Sequence, residues 1–240
     1  MRSSTTALFL GVLFLAATLP GAHAWWSTGH MLVALIAQRE LEKSDPNALK
    51  HAEQLLEILK PFTLEDNHIF AECAEWPDDI KGQNWKSFNP LHFENVAIVD
   101  PEFSGDTPSS ARNASWALHR LIDTIQHKPT GPSPPIGDLE KSVSIRLLVH
   151  IVGDIHQPLH STNFFSDQFP DGDLGGNRFK IDYPKSKITN LHSYWDSCAD
   201  QYSELKAPLS DSQFTKLDGY AANITAAYPR DHFRDELKLK

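Results

Sequence analysis

Apolar residues recur at helical spacing along most of the chain. Leu32, Leu35 and Ile36 follow Gly29-His30 and predict a first helix. From Ala48 to Leu59, residues Ala52, Leu55, Leu56 and Leu59 share one stripe, which predicts a second. Ala71 to Lys81 reads as helical, with Pro77 kinking or restarting it. Ala117, Leu118, Leu121, Ile122 and Ile125 repeat at the same period, as do Leu147, Leu148, Ile151, Val152 and Ile155. A further helix is predicted from about Asn190 to Tyr202. Alternating patterns are short: Leu91 to Val99 and Arg178 to Tyr183 predict small β-hairpins. Lys128 to Gly137 holds four prolines and two glycines and reads as a loop, as does Asp171 to Gly176. There is no internal repeat or low-complexity segment. The expected class is all-α, a mainly helical single domain with small β-hairpins, whose facing side chains can build a site.

The first residues change the domain boundaries. Arg2 supplies a short positive region, Ala7 to Leu19 form an apolar run, and Ala22-His23-Ala24 is a small-x-small cleavage sequence. Residues 1–24 are therefore expected to be a secretory signal peptide, with one domain over 25–240. The apolar run is too short for a comfortable membrane span, so no membrane association is expected. A secreted or luminal location follows. It permits a bridge between Cys73 and Cys198 and glycosylation at Asn113-Ala-Ser115 and Asn223-Ile-Thr225. The net charge of -9 argues against a broad basic surface for polyanions. A nucleic-acid substrate would need positive charge supplied locally, which bound metal ions can do.

Histidine and aspartate fall together at telling positions. His150 and Asp154 are four residues apart on a predicted helix, which places both on one face about one turn apart. On the helical wheel the pair flanks the apolar stripe, beside Leu147. His192 and Asp196 repeat the arrangement, and His160 follows His150 closely after Pro158. One such pair would more often be a surface salt bridge, but two pairs with an adjoining histidine point to metal. Imidazole nitrogen and carboxylate oxygen are ordinary zinc ligands, and a catalytic site leaves positions open. Cleavage after Ala24 would give Trp25 a free α-amine, which with its own carbonyl can chelate a metal near His30.

These residues carry a resemblance. Trp25-Trp-Ser-Thr-Gly29-His30, Trp76-Pro77-Asp78, Leu91-His92-Phe93, the block from Leu148 through His150, Gly153-Asp154 and Pro158 to His160, Gly175-Gly176-Asn177, and Asn190-Leu191-His192-Ser-Tyr-Trp195-Asp196 occur in one order. Over about residues 25 to 200 the chain resembles the class I nuclease family, the secreted zinc-dependent nucleases of the S-one and P-one type.

The resemblance implies three zinc ions. One would be held by Asp78, His92, His150 and Asp154; a second by the amine and carbonyl of Trp25 with His30, sharing Asp154; the third by His160, His192 and Asp196. It implies a monomeric endonuclease on single-stranded DNA and RNA, leaving 5′-phosphates through a water activated between two zincs, and 3′-nucleotidase activity beside it. Asp78 and Asp154 would serve the reaction as ligands, and Lys81 would stabilise charge on the scissile phosphate. Phe93 would stack a base while Asn177 and nearby polar groups hydrogen-bond it. Asn95 stands where the family often has Asp, which alters the donors offered to the base. The chain also stops at Lys240, where relatives usually continue into further helix. Two rivals remain. A zinc-dependent phospholipase C shares the trinuclear design but spaces its Trp and first His further apart and uses Glu in its last motif. A non-catalytic secreted metal-binding protein would not need the open coordination of mixed carboxylates and imidazoles. His51, His68, His119, His127 and His232 read as surface or capping residues, and His156 as a support to ligands.

Overall fold

A computed structural model describes residues 25–126, 137–185 and 187–229. Residues 1–24, expected to be a signal peptide, lie outside them, as do His127, His232 and most of the proline-rich loop. The helices are α1 (Ser27–Ser44), α2 (Pro46–Leu59), α3 (Ile69–Glu72), α4 (Trp76–Gly82), α5 (Ala114–Gln126), α6 (Asp138–Ile155), α7 (Pro158–Ser161), α8 (Leu191–Asp196) and α9 (Asp211–Ala227). Helix α6 packs between α2 and α5 and against α1, so the segment carrying His150 and Asp154 is the axis of the molecule. Leu147 and Ile151 meet Ala114 and Ala117 of α5 on one side. On the other, Ile145 meets Leu49 and Leu56 of α2. Contact on two sides buries Ser142, Ser144, Arg146, His150 and Asp154, which a single apolar stripe would leave in water.

Local chemistry sets the boundaries. Asp45 accepts from the Ala48 N–H at 3.0 Å and Pro46 opens α2. The predicted helix from Ala71 to Lys81 is divided: α3 ends at Glu72, and Pro77 sits in the first turn of a restarted α4. The helix predicted to run to Tyr202 ends at Asp196, after which Cys198, Ala199 and Asp200 take left-handed backbone angles. Helix α9 is absent from the sequence reading. Its signal was a Ser210/Gln213 capping box followed by Phe214, Leu217, Ala221 and Ile224, the apolar side that meets α1.

The strands correct the hairpin expectation. Strand β1 (Val96–Val99) pairs in parallel with β2 (Thr162–Phe165), in register Val96↔Thr162. A parallel pair needs a long crossover, here supplied by α5 and α6, so no hairpin signal exists for it. The stretch from Arg178 to Tyr183 contributes only an isolated bridge, Lys180 to Asn190. The pairing serves the site: it begins directly after His92-Phe93 and directly after His160, and the Glu94 N–H donates to the His160 carbonyl at 2.9 Å.

Two sets of buried polar contacts tie distant segments together. Arg146, fully buried, donates to Glu65, to the Leu56 carbonyl at 2.8 Å and to Ser142 Oγ at 2.7 Å, which pins α6 to the end of α2. Glu72 accepts from Leu209 N at 2.7 Å, and Glu75 from Ala207 N at 2.7 Å and from Ser27 Oγ at 2.6 Å. These hold the approach to α9 against α1 and the α3–α4 turn.

The bridge that a secretory route would permit is not formed: Cys73 and Cys198 are both free thiols. Cys73 is buried among Leu49, Leu56 and Phe70 and donates to the Phe70 carbonyl at 3.2 Å, while Cys198 lies beside Gly29. Burial pushes the Cys73 thiol far up and the Cys198 thiol up to about 12, so neither offers thiolate near neutral pH. Native protein is therefore expected to react slowly with a thiol reagent and to titrate two thiols when denatured without reductant. A titre of zero would show a bridge. No described helix is long and apolar enough to cross a membrane.

Candidate metal centre

Six elements converge on one buried point. Helix α1 supplies His30 and α4 supplies Asp78; the turn before β1 supplies His92; α6 supplies His150 and Asp154; α7 supplies His160; and α8 supplies His192 and Asp196. All eight side chains are buried except Asp78, whose carboxylate is 12% exposed. Their ligand-type atoms form three groups within 4.8 Å: His30, Asp78 and His150; His92, His150 and Asp154; and His160, His192 and Asp196. The third group brings together the three residues that the resemblance assigned to the third ion. The first two overlap more than expected, because His150 belongs to both and its ring stacks on His30 at 3.8 Å.

Asp154 is the hub. One carboxylate oxygen lies 2.8 Å from His92 Nδ1 and 3.3 Å from His150 Nε2, and the other lies 3.4 Å from His30 Nε2 and 3.9 Å from His160 Nδ1. Asp78 is 3.6 Å from His150 Nε2 and 4.0 Å from His30 Nε2.

The histidines are oriented from behind. His150 Nδ1 meets the Ala74 carbonyl at 2.6 Å, His160 Nδ1 the His92 carbonyl at 2.8 Å, and His192 Nδ1 the Gly175 carbonyl at 2.7 Å. A carbonyl can only accept, so each Nδ1 carries the proton and Nε2 presents its lone pair to the cluster. That is the arrangement by which proteins hold histidines on metals. Both ring nitrogens of His30 and Nε2 of His160 are sealed from solvent without a hydrogen bond. Atoms left this way are costly unless something else binds them.

Protonation points the same way. Burial, with His150 alongside, pushes His30 down to about 3. Burial lowers His150 and, aided by His192, drives His160 well below the usual imidazole range. Burial also raises the carboxyls of Asp154 and, strongly, Asp196. The imidazoles are thus in the neutral form a cation needs, and the carboxylates lack the positive charge that would offset their desolvation. The donor set, nitrogen and oxygen in open groups of three, fits zinc.

Trp25 reaches the same point. Its indole N–H donates to the Gly153 carbonyl at 2.9 Å, and the Trp26 N–H donates to the Asp196 carbonyl at 2.7 Å. A methyl group on Gly29 would stand 2.5 Å from Trp25 Cβ, and one on Gly153 would stand 2.9 Å from His30 Nδ1. The two glycines are therefore the space into which Trp25 and His30 fold. Lys81 is not a solvated helix-end lysine; it is nearly buried, with Nζ 2.5 Å from Asp78.

The residues expected to meet substrate divide. Phe93, half-buried, stacks on His160 at 4.4 Å and borders the third group. Asn95 has φ +53°, a left-handed angle that Asn and Asp tolerate better than most residues, so its backbone alone favours a residue of this kind there. Asn177 uses its amide to donate to the Leu174 carbonyl at 2.9 Å, closing the glycine loop. In that loop Gly175 has φ +59°, and a Cβ there would stand 2.1 Å from the Leu159 carbonyl oxygen. Gly175→Ala is expected to cost at least about 2 kcal/mol in urea unfolding and to disturb His192, whose Nδ1 the loop holds. His156 is exposed and bonds only to the Val152 carbonyl of its own helix, so it supports no ligand. The supporting residue is Gln157, fully buried, whose Nε2 donates to Asp196 Oδ1 at 2.7 Å. It lies inside the specific block, but a glutamine gives no signal apart from its neighbours. His51 and His119 are exposed, and His68 stacks on Phe214.

Known proteins share this chain's sequence. Endonuclease 4 of Arabidopsis thaliana is 29% identical over 237 residues, covering 96% of this chain and 73% of the relative. Endonuclease 3 of the same plant is 30% identical, covering 78% and 58%. Nuclease S1 of Aspergillus oryzae is 29% identical, covering 73% and 54%. The chain thus spans between 54% and 73% of the length of these relatives. The model of the S1/P1 nuclease family matches residues 25–239, and the chain belongs to that family.

Proposed function

We propose that this chain is a secreted zinc-dependent nuclease, holding three zinc ions, that hydrolyses single-stranded DNA and RNA to 5′-phosphorylated products and removes phosphate from 3′-mononucleotides. The observation that carries this reading is the convergence of buried histidines with aspartates, His150, His160 and His192 being fixed through Nδ1 on carbonyls and Nε2 of His150 and His192 facing Asp154 and Asp196. When bound, zinc supplies Lewis-acid charge and a water ionised near neutral pH. His92, His150, Asp78 and Asp154 would hold one ion. His30 and the terminal amine and carbonyl of Trp25 would hold a second beside Asp154, and His160, His192 and Asp196 the third.

The side chains around them do the rest. Three aspartates leave three divalent ions with excess positive charge, which lets a chain of net charge -9 hold a phosphodiester locally. Lys81, in contact with Asp78, adds a cation at the same edge. Phe93 borders the third group and offers an aromatic surface to a base, which requires that base to be unstacked and favours single strands.

The test is incubation of protein matured at Trp25 with single-stranded DNA, RNA and a phosphatidylcholine emulsion, with and without chelator. Release of acid-soluble nucleotide that chelator abolishes and zinc restores is expected. Hydrolysis of the lipid alone would replace this reading with the phospholipase one.

A further inference from the structure

The chain carries a net charge of -9, and one exposed basic cluster runs from just before α5 into that helix. Trp116 is 37% exposed on a helix that buries Ala114 and Ala117. Arg112 and Arg120 flank it at one-turn spacing, with guanidinium carbons 5.7 Å and 5.9 Å from the indole ring. Among the described residues neither arginine has an ion-pair partner on a carboxylate. The cluster is therefore an aromatic face between two available cations.

Its position ties it to the metal centre. The Ala114 N–H donates to the Phe93 carbonyl at 2.9 Å. Glu94 accepts from Asn113 Nδ2 at 2.7 Å and from the Ser115 N–H at 3.0 Å, and Asn113 Oδ1 accepts from the Trp116 N–H at 3.0 Å. The start of α5 is thus stitched to the segment that carries His92 and Phe93, and Phe93 in turn stacks on His160. The exposed cluster therefore begins beside the segment that carries Phe93.

We propose that Arg112, Trp116 and Arg120 form an outer subsite for the single-stranded substrate, Trp116 stacking an unpaired base and the two arginines contacting phosphates beyond the one being cut. The inference rests on the nuclease reading and extends it. Stacking on an aromatic face is indifferent to base identity, and arginine suits phosphate oxygens. The subsite gains affinity for length and adds no sequence preference.

Length dependence tests it. KM for a thymidine 12-mer relative to KM for a thymidine dinucleotide is compared in wild type, R112Q/R120Q, Trp116→Ala and Trp116→Phe. The ratio is expected to rise about tenfold in the arginine pair and in Trp116→Ala, and to return most of the way in Trp116→Phe. The salt slope of log kcat/KM on the 12-mer should fall by about 1.4 in the double variant, two phosphate contacts' worth on a single strand. An unchanged ratio and slope would overturn the subsite. Anisotropy of a fluorescein-labelled thymidine 12-mer in chelator separates the two claims. Binding that the arginine pair weakens, in a wild type that still cuts nothing once zinc is restored, keeps the subsite and defeats the nuclease reading. Cleavage by wild type with identical binding in all variants does the reverse.

Discussion

Replacing Asp154 by Asn is expected to lower kcat/KM on single-stranded DNA by roughly 10³-fold or more, about 4 kcal/mol of transition-state stabilisation. Asp154 is fully buried, and its two oxygens face four different histidines at 2.8 to 3.9 Å. It reaches His30 of the first ligand group, His92 and His150 of the second and, at longer range, His160 of the third. Asn keeps the volume and removes the charge that would hold two cations close together. Bound zinc should fall along with activity. The metal-free fold should not suffer, because an ionised carboxylate buried among neutral imidazoles is a desolvated charge with nothing to offset it. The expected result is a melting temperature of the metal-free variant equal to or above that of metal-free wild type. A variant that lost activity by melting lower would owe its defect to folding, and the hub role would be wrong.

A single methionine added before Trp25 is expected to remove one zinc and lower turnover by about 10²-fold. The geometry around this residue is demanding. Its indole is fixed on Gly153, the next N–H on Asp196, and Ser27 on Glu75, while Gly29 leaves room for its Cβ. These contacts hold residue 25 beside His30 and Asp154 whatever precedes it. An added residue would therefore convert the amine to an amide, which carries no lone pair for a metal, and leave the surroundings in place. Equal zinc content and equal turnover in the two forms would refute the terminal-ligand claim.

Much of the centre was legible in the sequence because its chemistry is carried by rare residues at short spacing. His150/Asp154 and His192/Asp196 each sit one turn apart on a helix, and the structure brings both pairs and His160 to one point. What the sequence left hidden depends on long-range contact. The parallel pairing of Val96 with Thr162 has no local signature, and so hairpins were expected where a crossover exists. Arg146, Glu72 and Glu75 are buried ties between segments far apart in sequence, and nothing in their local sequence marks them as such. Gln157 was invisible for a similar reason, since its partner Asp196 lies on another helix. Helix α9 was an oversight of a different kind, because its capping box and apolar spacing were present to be read.

The central claim is that these buried imidazoles and carboxylates hold zinc. Elemental analysis of protein matured at Trp25, purified without chelator and dialysed free of loose metal, tests it directly. Three zinc ions per chain are expected, with nucleolytic activity that falls and returns as they are stripped and restored. Active protein carrying no stoichiometric metal would contradict the account.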